Sequence, residues 1–120
     1  MKKISEGTIV MKVSELTKKL NLVYASGEAV FDKEISGCYI GDLLSLAMAK
    51  LDIENIWITI QTNINVVAVA SLKDAACVIV ADGFHLDDDA KAKAEAEEII
   101  ILETDLSAYD IAKKLVEIGI

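Results

Sequence analysis

The most apolar stretches of this chain, Ile56–Ile60, Ala76–Val80 and Ile99–Leu102, are each about one strand long, and none keeps a strict polar–apolar alternation. A half-exposed hairpin strand would alternate, whereas a run that is apolar throughout needs cover on both faces. The segments between these runs carry helical spacing. Strands of this kind alternating with helices predict an α/β domain with a mostly parallel sheet flanked by helices.

The rest of the chain fits that plan. Val13, Leu16 and Leu20 fall three and four apart among Lys12, Glu15, Lys18 and Lys19, which predicts an amphipathic helix from Ser14 ending near Asn21. Leu22–Tyr24 and Ile35–Ile40 read as short strands, the second broken by Gly37. Asp42 is placed to cap a helix carrying Leu43, Leu44, Leu46, Ala47 and Leu51. Val66–Ala70 fits either the return strand of a hairpin turning at Thr62-Asn63 or a helix from Asn63 to Asp74. The helix is preferred, since Ile64, Val67, Ala68, Leu72 and Ala75 form one stripe and Asn63 or Asn65 can cap it. Asp87–Glu98 reads as a helix facing mainly solvent, its leading aspartates suited to capping and to the helix dipole. The final helix opens at Asp105 or Ser107, with Leu106, Tyr109, Ala112, Leu115, Val116 and Ile118 on one face. Residues 1–10 fall outside the pattern as an N-terminal extension, and 11–120 form the domain.

Charge narrows the function classes. The chain has 120 residues with 12 basic and 20 acidic side chains, a net charge of −8, and no arginine or proline. An acidic chain without guanidinium groups is a poor reader of phosphate backbones, so no nucleic-acid partner is expected. The longest strictly apolar run, Ala75–Ala81, is far short of the roughly 20 residues of a membrane span. Ser5, Glu6, Gly7 and Thr8 interrupt the place where a signal peptide would be apolar, so a cytoplasmic protein without membrane contact is expected. Cys38 and Cys77 lack C-x-x-C spacing and sit in apolar runs, which predicts buried, reduced thiols. Trp57, the only tryptophan, is expected in the core or at an interface.

The stretch Ile35-Ser36-Gly37-Cys38-Tyr39-Ile40-Gly41-Asp42-Leu43-Leu44-Ser45, followed by Trp57-Ile58-Thr59-Ile60-Gln61 and Asn65–Ala70, resembles the DRTGG domain family. The resemblance runs from Met11 to the C-terminus. Domains of this family are similar to the N-terminal domain of HPr serine kinase, and occur beside CBS domains in regulated pyrophosphatases and within some phosphotransacetylases. The resemblance implies a regulatory or associative role, usually in dimers. The pentapeptide that names the family is absent; the nearest acidic turn, Asp82-Gly83, lacks its arginine.

Candidate chemistry is sparse. Gly37 and Gly41 do not form a phosphate-cradling loop, because Asp42 and Leu43 stand where G-x-x-x-x-G-K-[ST] requires Lys and Ser or Thr. His85 is the only histidine, and nothing in the sequence brings it to Ser45 or Ser71 as a nucleophile's base. His85 with Asp87, Asp88 and Asp89 shows no closed ligand set, so helix capping is the preferred account and no metal is expected. In an open parallel sheet ligands sit beyond the carboxyl ends of the strands, here Tyr39–Asp42, Thr59–Asn65 and Asp82–His85, loops without lysine. Thr59, Gln61, Thr62, Asn63, Asn65, Asp42 and Asp82 are therefore the candidate ligand-binding residues, better suited to a neutral nucleoside moiety than to a triphosphate; helix capping and strand-end bonding are the alternative account of Thr59, Gln61, Thr62, Asn63 and Asn65, and the preferred one. These readings together predict a non-catalytic, cofactor-free regulatory domain. It is expected to dimerise, with a small-molecule ligand of the adenine nucleotide or nucleoside class and a metabolic enzyme as partners. The alternative is a small kinase-like or metal-dependent phosphotransferase or hydrolase using Asp42 and Asp82.

Overall fold

The computed structural model describes residues 10–28 and 32–120, so most of the expected N-terminal extension lies outside the described residues. The chain runs α1 (Val13–Leu20), β1 (Val23–Ser26), β2 (Gly37–Ile40), α2 (Leu44–Lys50), β3 (Asn55–Thr59), α3 (Ile64–Leu72), β4 (Cys77–Val80), α4 (Asp88–Ala96), β5 (Ile101–Glu103) and α5 (Ala108–Glu117). The five strands form one sheet in the order β1-β5-β4-β3-β2. All neighbours are parallel except β1, which runs antiparallel to β5 with Val23 opposite Glu103. The α/β class expected from the apolar runs is the observed one.

Side chains leave the sheet alternately. Ile56, Ile58, Cys77, Ile79 and Leu102 point to a layer formed by Val13, Leu16 and Leu20 of α1 and Ile111 and Leu115 of α5. Trp57, Val78, Val80 and Ile101 point to the opposite layer, where α2, α3 and α4 contribute Ala47, Val66, Val67, Ala70, Ala90 and Ala94. Right-handed crossovers explain this division: three successive βαβ units stepping one way across a sheet must place their helices on one face. α1 and α5, outside those units, cover the other.

Local chemistry sets the helix ends. The Asp32 carboxylate accepts from the Ser14 amide at 3.0 Å and from its hydroxyl at 2.6 Å, fixing the start of α1, and Asn21 closes it in the left-handed region at φ 56°. Asn63 caps α3 by accepting from the Asn65 amide, and Ser107 caps α5 by accepting from Asp110.

Several expectations need correction. Asp42 does not cap α2, whose N-cap position is Leu43. On α3 the buried residues are Val66, Val67, Val69 and Ala70, while Ile64, Ala68 and Leu72 are exposed. That helix is apolar around most of its circumference, so spacing could not choose the face and sheet contact does. On α5 the buried pair is Ile111 and Leu115, one turn apart and packed on the sheet, and Tyr109 and Val116 face water. Asp87 holds the N-cap position of α4 but its side chain accepts no cap bond. Cys77 is buried as expected, whereas Cys38, on the edge strand β2, is exposed. The two cysteines flank Ile56 from neighbouring strands, two strand spacings or about 10 Å apart, too far for a disulfide. Trp57 lies wholly in the core, its indole N–H donating to the Gly41 carbonyl at 2.8 Å.

Candidate functional site

Because β2 to β5 are parallel, their carboxyl ends share one edge, and the sequence-predicted residues fall along it. At the β2–β3 end they bind one another. Thr59 Oγ1 and the Ile60 amide both donate to Asp42 Oδ1, at 2.9 and 2.8 Å. Gln61 Nε2 donates to the Asp42 carbonyl, and Asn63 Nδ2 donates to Gln61 Oε1. The Thr62 carbonyl accepts from the Asp87 amide, tying the start of α4 to this corner. Asp42, Thr59, Gln61, Asn63 and Asn65 thus form one connected polar cluster, with Thr62 beside it. Asp82 stands apart at the end of β4, where its amide donates to the Leu106 carbonyl.

The β4–β5 part of the same edge is built differently. The chain leaving β4 passes to the α2–α4 face, and the chain leaving β5 passes to the α1–α5 face. The two exits diverge and leave a crevice at the point where strand connections switch sides. A cavity of about 590 Å³ opens there, within the size range of small-molecule sites. Leu20 and Asn21 from the end of α1, Val23 from β1, Gly83, Phe84 and His85 after β4, Glu103–Leu106 after β5, and Lys114 of α5 line it. Two backbone bonds join its loops below the opening, from Gly83 N to Thr104 O at 2.9 Å and from Asp82 N to Leu106 O at 2.9 Å. Gly83 adopts φ +77°, and a Cβ there would stand 3.1 Å from Asp105 Oδ1, so glycine permits both the turn and that close approach.

Glu103 organises this corner. Its side chain, only 12% exposed, accepts from the Leu86 amide at 2.8 Å through Oε2 and faces His85 Nδ1 at 3.1 Å through Oε1. Lys114 and Asp105 stand at the exposed rim, and among the described residues neither has an ion-pair partner. Leu20, Val23, Phe84 and Leu106 give the cavity an apolar wall. No serine or cysteine lines it beside His85, and among the described residues no three His, Cys, Asp or Glu side chains gather as a metal would require. Such a lining can bind and orient a ligand through charge and apolar contact.

No family model matches the chain, and no curated protein matches it. Among solved structures it is similar to a Clostridium perfringens chain described as the CBS and DRTGG domains of the regulatory region of a pyrophosphatase, complexed with the activator diadenosine tetraphosphate. The TM-score is 0.67 at 11% identity, over 87% of this chain. The fold is DRTGG-like. The chain spans 45% of that neighbour's length, so the likeness concerns one part of the regulatory region. Among the described residues of this DRTGG-like fold, no helix is long and apolar enough to cross a membrane.

The sequence-predicted residues lie on the edge that also holds the cavity, but Asp42, Thr59, Gln61, Thr62, Asn63, Asn65 and Asp82 are not among its lining residues. Sequence reasoning counted the ends of β2, β3 and β4 but not of β5, so Glu103, Thr104, Asp105 and Leu106 were not among the candidates. Tyr39–Asp42, Thr59–Asn65 and Asp82–His85 do lack lysine, yet the edge does not, because α5 brings Lys114 to it. The strand-end rule applied to β5 would have found Glu103 and Asp105; Val23, Asn21 and Lys114 carry no local signal.

Proposed function

We propose that this protein is a non-catalytic regulatory domain that senses a small molecule at the carboxyl edge of its sheet. The observation that carries the reading is the cavity at the switch point, lined by charged and apolar side chains with no nucleophile–base pair (Gly83–His85, Glu103–Leu106, Lys114). The fold likeness to a regulatory region supports it. Adenine nucleosides and nucleotides are the first ligand class to test, since the neighbour is described with diadenosine tetraphosphate. Asp42, Thr59, Gln61, Thr62, Asn63, Asn65 and Asp82 lie on the same edge outside the cavity and are proposed as a separate ligand-contact surface.

The same reading includes a homodimer in the cytoplasm, able to dock on a metabolic enzyme. Ile40, Leu43, Leu46 and Ile53 present apolar side chains to water around α2 and β2, the strand at the end of the sheet order among the described residues. The sequence from Leu43 to Ala49 is uncharged in a chain of net charge −8, so this is where two copies approach with little repulsion. Ligand binding would act by favouring one dimer arrangement over another, which requires different affinities for the two.

Light scattering on the full chain, with thermal shift against adenosine, ATP and diadenosine tetraphosphate, tests both parts. A dimer that Leu46→Glu converts to a monomer, and a melting point raised by a ligand, are the expected results. A monomer at 100 µM, on the order of a weak dimer's dissociation constant, overturns the association. Phosphoryl transfer with Mg²⁺ that disappears in Asp42→Asn or Asp82→Asn overturns the non-catalytic reading.

A further inference from the structure

The free charges of the cavity come one of each sign. Glu103 is engaged by the Leu86 amide and His85, which leaves the Asp105 carboxylate and the Lys114 ammonium as the charged groups of the cavity without an ion-pair partner among the described residues. The same cavity carries an apolar surface, with Phe84 about half exposed and Val23 more so. A polyphosphate would meet a single lysine against two carboxylates and be poorly held. A cation alone would face Lys114, and an apolar molecule alone would desolvate both charges without replacing their hydrogen bonds.

Resting on the ligand-sensing reading, we propose that this cavity takes a compact zwitterion on an apolar or aromatic body, the chemistry of an α-amino acid with a hydrophobic side chain. The ligand's carboxylate pairs with Lys114, its ammonium with Asp105, and its side chain covers Val23, Phe84 and Leu106. Each charge of such a ligand completes a group without an ion-pair partner among the described residues, and charge-assisted hydrogen bonds of this kind are directional enough to set its orientation.

Isothermal titration on the full chain tests this with L-phenylalanine and L-leucine as zwitterions. Phenethylamine and 3-phenylpropionate serve as single-charge analogues, and adenosine and diadenosine tetraphosphate as the competing class. The expected result is that an amino acid binds and that each single-charge analogue binds about tenfold more weakly. Lys114→Met should weaken 3-phenylpropionate and leave phenethylamine unchanged, and Asp105→Asn should do the reverse. Both residues are exposed, and unchanged Trp57 fluorescence verifies that the variants fold. Amino-acid binding that neither substitution alters overturns the assignment. Binding of an adenine compound without any amino acid overturns it too, but leaves the ligand-sensing function standing. No binding by any probe removes both.

Discussion

Replacing Glu103 with alanine should destabilise the domain far more than replacing its partner His85, although the two face each other at 3.1 Å. The bond that counts is the other one. The Leu86 amide donates to Glu103 Oε2 at 2.8 Å, and Leu86 is only 3% exposed, so removing the carboxylate leaves a backbone donor with no acceptor and little water. A charge-assisted bond lost together with an orphaned donor costs about 2–3 kcal/mol. The His85 ring is 79% exposed, so His85→Ala should cost less than about 0.5 kcal/mol. Glu103→Gln keeps an acceptor for Leu86 and should lose roughly 1 kcal/mol. Urea unfolding followed by Trp57 fluorescence reads these values, since that residue is the only tryptophan and fully buried. In a domain of this size about 2–3 kcal/mol corresponds to a melting point lower by roughly 8–15 °C. If Glu103→Ala falls within about 0.5 kcal/mol of the parent, or His85→Ala proves as damaging, Glu103 does not anchor the β4–α4 loop and the account of the cavity wall fails.

Other consequences are sharper in sign than in size. Gly27→Ala should destabilise by about 2 kcal/mol or more, because φ is +88° and the new Cβ would meet the Ile100 Cα at 2.8 Å; a midpoint unchanged in urea refutes this. Thr59→Val should cost about 1–2 kcal/mol, since its hydroxyl both donates to Asp42 and accepts from the Gln61 amide, and a valine of similar shape that leaves stability intact would show that cluster to be dispensable. Cys38 is exposed as a residue, yet desolvation around its thiol pushes the pKa up to about 12, so iodoacetamide at pH 8 should modify it at least about a hundredfold more slowly than a free thiol. Burial pushes the Cys77 thiol up as well, so it should react only on unfolding. Both folded pKa values lie above the unfolded one, so the cysteines favour folding least at alkaline pH: their contribution is intact below the ordinary thiol range and declines as pH rises above it, which urea midpoints at pH 7 and pH 10 would register.

The layers of this fold were legible because they depend on local composition. Ile56–Thr59 and Cys77–Val80 are short β-branched-rich runs that suit strands covered on both faces, and right-handed crossovers then dictate where their helices lie. Asn63 and Ser107 were legible as caps for the same reason: each bonds within three residues of itself. Helix faces were less so. Ile64-Asn65-Val66-Val67-Ala68-Val69-Ala70 offers an apolar residue in nearly every direction, and only the position of the sheet selects Val66, Val67, Val69 and Ala70. Asp42 shows how a local rule loses to a distant partner. Its sequence position suits capping, but Thr59 and Ile60 reach it across the strand ends, and two bonds there replace one cap.

The cavity was illegible for a topological reason. Its walls come from α1, β1, two loops and α5, and their meeting depends on β1 entering antiparallel beside β5, which brings Val23 opposite Glu103 and the end of α1 to the same edge. Had β1 joined the far side of β2 instead, β5 would be an edge strand and the crevice would lack the outer wall that Val23 and the end of α1 provide. A single antiparallel strand therefore converts a regular wound sheet into one with a bounded site at its switch point. That placement also separates the cavity, between β1, β5 and β4, from the apolar edge at β2 and α2, so that any influence of a bound ligand on association must pass through the central strands β4 and β3 or the helices packed on them.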